Sequence, residues 1–72
     1  MTRDELIRRL RRIAKERGVA FDVVANRGKG GHWTVQFGDT RLPVPQAHGG
    51  DLATGTLRSI LRRFGIRRKD LE

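Results

Sequence analysis

No cysteine occurs in the 72 residues, which excludes a disulfide framework and any thiolate zinc site. Histidine occurs only twice, with no acidic cluster beside either copy, so neither a metal ion nor any other cofactor is expected. No apolar run approaches the roughly 20 residues that span a bilayer, and no secretory leader is expected. The expectation is a cytoplasmic protein without a membrane partner. Acidic residues are also scarce: eight Asp and Glu face sixteen Lys and Arg, for a formal net charge of +8 and a pI near 11.7. Arginine dominates the basic set, which suits planar, bidentate contact with phosphate. A well-solvated surface would explain part of this excess. Over so short a chain it points to a polyanion, nucleic acid foremost, with an acidic protein as a further partner. The length fits one domain spanning residues 1–72, and a chain this small buries only about 60% of its unfolded surface.

What the chain does have is organised around Gly28 to Phe37. Gly28, Lys29, Gly30 and Gly31 form a glycine-rich turn that leads through His32 into a strand. Trp33, Val35 and Phe37 share one parity of that strand, while His32, Thr34 and Gln36 share the other. Side chains alternate across a strand, so the first set faces a core and the second faces solvent. His32 is the titratable group of that second set.

Ahead of this stretch, Thr2 and Glu5 have capping-box spacing and start a helix at Arg3. Leu6, Ile7, Leu10, Ile13 and Ala14 form its apolar stripe, with Arg8, Arg9, Arg11, Arg12 and Lys15 opposite. Asp4 with Arg8, and Glu5 with Arg9, are i,i+4 pairs worth about 0.2–0.5 kcal/mol each. Gly18 is placed to end the helix. Val19 to Asn26 reads as a strand with Phe21, Val23 and Ala25 inward. His32 to Phe37 is the second strand, Gly38 and Asp39 form a type II′ hairpin turn, and Thr40 to Val44 returns as the third. Pro43 places that third strand at an edge. Pairing Phe37 with Thr40 sets Val35 against Leu42 and Trp33 against Val44, which gathers the large apolar residues on one face. A second helix runs from Thr54, expected as its N-cap, to Phe64, with Leu57, Ile60, Leu61 and Phe64 as its buried stripe. Gly65 ends it, Ile66 folds back toward Leu61, and Asp70 to Glu72 close the chain as a last helical turn. The fold class is α+β in the order α-β-β-β-α: a three-stranded antiparallel meander with both helices on one face.

Three stretches resemble a known family: G-K-G-G-H at Gly28 to His32, V-P at Val44 and Pro45 with H-G-G at His48 to Gly50, and G-T-L-R-S-I-L at Gly55 to Leu61. In this order and spacing the chain resembles the HicA toxins, messenger-RNA-cleaving proteins of toxin–antitoxin pairs, from Arg3 to about Leu71. Family members more often carry G-S-H at the turn, where this chain has G-G-H and lacks the hydroxyl. The resemblance implies the fold of double-stranded-RNA-binding domains, a catalytic histidine at His32, mRNA as substrate, and a HicB-like antitoxin as protein partner.

The residues suit that chemistry. RNA carries its own nucleophile, the 2′-hydroxyl, and cleavage needs a base and stabilisation of phosphate charge. Histidine is the side chain that ordinarily titrates near neutrality. Arg27 and Lys29 flank the turn and would draw in phosphate, and the N–H groups of Gly30 and Gly31 would contribute to an anion-binding nest. Arg41 joins them from the third strand. His48 reads first as a loop residue supporting its turn; its alternative role is acid partner to His32. Three functions stay open: a metal-independent endoribonuclease, a non-catalytic RNA-binding module of the same fold, and an inactive regulator that engages only a HicB-like partner.

Overall fold

The computed structural model describes residues 1–25, 32–45 and 50–71. Helix α1 spans Arg3–Arg17, and Thr2 is its N-cap: the Thr2 hydroxyl oxygen accepts the Glu5 N–H at 3.1 Å. Acidic Asp4 and Glu5 in the first turn and basic Lys15 and Arg17 in the last complement the helix dipole. Gly18 ends the helix at φ 67°, where a left-handed conformation favours glycine. The bonds Gly18 N–H to Lys15 O and Val19 N–H to Ala14 O, at 3.3 and 3.0 Å, close the cap.

The sheet is the expected antiparallel meander, β1 (Phe21–Ala25), β2 (Trp33–Phe37) and β3 (Thr40–Val44), in the order β1-β2-β3. The β2–β3 register sets Phe37 against Thr40, Val35 against Leu42 and Trp33 against Val44, as the pattern requires. Gly38 turns the hairpin at φ 63°, while no described non-glycine residue has a positive φ, so Asp39 takes the negative φ of a type II′ turn. Two strands are shorter than expected. β1 begins at Phe21 rather than Val19, because the Val19 N–H is committed to the cap of α1. β2 begins at Trp33, with His32 just ahead of it; Asn26 lies outside the described residues.

Helix α2 spans Thr54–Phe64 and corrects the cap assignment by one residue. Ala53 is the N-cap and makes no side-chain cap bond; its carbonyl already accepts the Leu57 N–H at 2.9 Å, which places Thr54 inside the helix. At the other end Gly65 (φ 69°) and the Ile66 N–H to Leu61 O bond of 2.9 Å form the expected reversal. A 3-10 helix over Arg68–Leu71 follows.

Both helices cover one face of the sheet. Leu6, Leu10, Val35, Val44 and Leu71 are the largest fully buried side chains. Leu71, which belongs to no periodic apolar stripe, is only 2% exposed. Its carbonyl accepts from Arg9 at 2.6 Å and from Arg12 at 3.4 Å. Arg17 meets Asp70 at 3.4 Å. The i,i+4 pairs expected on α1 do not form. For Arg9, a carbonyl fixed by core packing outcompetes the Glu5 carboxylate, whose pairing is worth only about 0.2–0.5 kcal/mol. No helix among the described residues is long and apolar enough to cross a membrane.

Candidate functional site

The face of the sheet away from the helices is open. Val24 on β1 is 52% exposed there, and Arg41 on β3 is exposed as well. Across the strands Gln36 stands between Asp22 and Arg41, and Thr34 between Val24 and Pro43. Asp22, Val24, Thr34, Gln36 and Arg41 line a hollow of about 30 Å³, a shallow surface rather than a pocket. Two of its polar groups are engaged by the scaffold. The Gln36 Nε2 donates to the Gly38 carbonyl at 3.0 Å, bracing the hairpin, and the Asp22 Oδ1 accepts the Val23 N–H at 2.9 Å.

His32 is exposed immediately ahead of β2, on the parity of Thr34 and Gln36. Among the described residues it makes no hydrogen bond or ion pair, so its imidazole is held in no set orientation by them. Arg41 lies at the other end of this face. The four steps along the strand from His32 to Gln36, the ladder partner of Arg41, span about 13 Å at the usual rise, so Arg41 addresses a different stretch of any ligand seated at His32. The remaining site residues expected from the sequence, Arg27, Lys29, Gly30, Gly31 and His48, lie outside the described residues. No group of three or more His, Cys, Asp or Glu side chains is placed to hold a metal among the described residues.

The positive charge is distributed unequally. Arg41 is the only lysine or arginine in the three strands. The helical layer carries Arg8, Arg11, Arg12 and Lys15 on α1, and Arg58, Arg62 and Arg63 on α2, all exposed. On α2 a groove of about 200 Å³ has Leu57, Leu61 and Ile66 as its floor and Arg58, Arg62 and Arg68 at its rim. Periodicity shows these arginines on the solvent side of a helix; it cannot show that Arg68, from beyond the helix, joins the two on α2. Trp33 follows the core reading. It packs half-buried against the core, and the Arg3 guanidinium lies 3.8 Å from its ring centroid, so that ring face already carries a cation.

In comparisons with known proteins, no family model, no curated protein and no solved structure matches this chain.

Proposed function

We propose that this chain is an RNA-cleaving toxin of the HicA type, a metal-independent endoribonuclease that uses His32 as general base and is held inactive by a HicB-like antitoxin. The observation that carries the reading is an exposed histidine on the uncovered face of a small sheet, in a chain of net charge +8. The three sequence stretches that resemble the family, and an α-β-β-β-α order of the kind double-stranded-RNA-binding domains have, support it further. In this reading the imidazole takes the proton of a 2′-hydroxyl as its oxygen attacks the adjacent phosphorus; the bond to the 5′-oxygen breaks, that oxygen takes a proton from water or from His48 as it leaves, and a 2′,3′-cyclic phosphate remains. The extra phosphate charge is met by Arg27, Lys29 and the N–H groups of Gly30 and Gly31. An antitoxin that covers the open face would block access without altering the core.

The second reading is a non-catalytic RNA-binding module, and one observation favours it: the described cations crowd the helical layer rather than the face of His32. One experiment separates the two. Purified protein is incubated with a labelled RNA in EDTA, beside His32→Ala, with binding and melting curves recorded for both. The toxin reading expects cleavage by wild type, a rate lower by about 10²–10⁴ in the variant, and unchanged RNA binding. A folded His32→Ala that cuts as fast as wild type, or a wild type that binds and never cuts, sinks the assignment.

A further inference from the structure

The two edges of the sheet are built differently. In an antiparallel ladder, alternate residues turn their N–H and C=O toward the neighbouring strand and the residues between turn them away. The residues flanking a two-residue hairpin loop bond to each other. Thr40, Leu42 and Val44 therefore face β2, and Arg41 and Pro43 face outward. Pro43 has no N–H to offer there, and Pro45 repeats the omission two residues later. This edge is blunted against further pairing.

β1 lacks such a guard. The Gly38 N–H to Ala20 O bond of 2.8 Å fixes the alternation. Asp22 and Val24 face β2, and Phe21, Val23 and Ala25 turn their backbone groups outward. Of the three outward N–H groups, that of Val23 is met by the Asp22 carboxylate at 2.9 Å, and no described residue bonds the other two. The exposed large apolar residues, Val24 (52%) and Val19 (38%), lie on this strand or just ahead of it. A row of cations runs beside it. Arg8, Arg11 and Lys15 share one side of α1 at i, i+3, i+7 spacing, and the Arg11 guanidinium lies 5.6 Å from the Phe21 ring.

We propose that the outer edge of β1 is a docking edge for an extended acidic segment of a partner protein, added as a fourth strand. The backbone of Phe21, Val23 and Ala25 supplies the ladder. The segment alternates: its carboxylates lie on the helix side beside Arg8, Arg11 and Lys15, and its β-branched residues lie on the open side beside Val24. A second copy of this chain fits poorly, because it would bring two net charges of +8 together with their cation rows adjacent. The proposal stands whether or not the chain cuts RNA.

The test uses isotope-labelled protein and a synthetic nine-residue peptide alternating threonine and glutamate, against the same peptide with lysine for glutamate. The glutamate peptide is expected to bind saturably at low salt and to slow hydrogen exchange at the Phe21, Val23 and Ala25 amides, while the lysine peptide does neither. Ala25→Pro removes one outward donor at an exposed position. It should weaken binding by about three- to tenfold, the worth of one hydrogen bond, with the amide spectrum otherwise preserved. Asp22→Ala frees the Val23 N–H and removes a like charge, so it should tighten binding, a gain that a damaged fold would not give. No binding of the glutamate peptide at millimolar concentration overturns the proposal. So does binding that ignores Ala25→Pro and shifts Arg58 and Arg62 instead. A concentration-dependent dimer abolished by Ala25→Pro would replace the acidic partner with a second copy.

Discussion

The covered and open faces of the sheet are made from the same strands, residue by residue in alternation. Val35, Phe37, Leu42 and Val44 point under the helices and are buried, while Thr34, Gln36 and Arg41 sit between them on the other side. Stability and candidate chemistry are thus separated by one step along the backbone, and each can be altered while the other is left alone. Charge divides by layer too: the strands hold Arg41, and the helices hold a dense basic surface.

The largest expected effect is a contrast between two substitutions. His32→Ala should lower cleavage by about 10²–10⁴ and leave the melting temperature unchanged, since the residue is exposed. Leu10→Ala empties a site of zero exposure on the covered side and should cost about 2–5 kcal/mol of stability, read from denaturant curves. A destabilised His32→Ala would mean that the two faces are not independent. A smaller effect sharpens the division of charge. Reversing Arg58 and Arg62 to Glu should flatten the slope of log K against log salt for single-stranded RNA by about 1.4, or 0.7 for each lost phosphate contact. If that slope is unchanged while Arg27→Glu with Lys29→Glu flattens it, RNA is gripped at the glycine-rich turn and the helical layer is only solvated surface.

The parts of the fold legible in the sequence are those fixed by local chemistry. The capping of α1 by Thr2, the glycine ends of both helices and the β2–β3 register follow from residues within a few positions of one another, and the structure has them as read. At α2, Thr54 carries the residue type of an N-cap, but the helix begins one residue earlier. By residue type Thr is the better cap, yet Ala53 holds that position without a side-chain bond, so the local rule misplaces the start by one residue. The burial of Leu71 is hidden from the sequence for a different reason. Two residues from the end of a basic run it has no periodic neighbours, and its burial depends on α1, 62 residues away in sequence where Arg9 reaches its carbonyl. Of the candidate site, alternation places His32 and Arg41 on one face. The distance between them follows only from register.

That same distant contact bears on the order in which the molecule assembles. Pairings across the Gly38–Asp39 turn join residues close in sequence, so the loop-closure entropy they must overcome is small and they can form early. The seating of Leu71 on α1 joins residues 62 apart in sequence, so its larger loop-closure entropy places it after the hairpin in the expected order. Interactions absent from the transition state act on the unfolding rate. Leu71→Ala should therefore steepen escape from the native state, raising the unfolding arm of a denaturant chevron while the refolding arm stays near its original position. The lifetime of the folded protein is then set where Leu71 seats on α1, far along the chain from the β2–β3 hairpin.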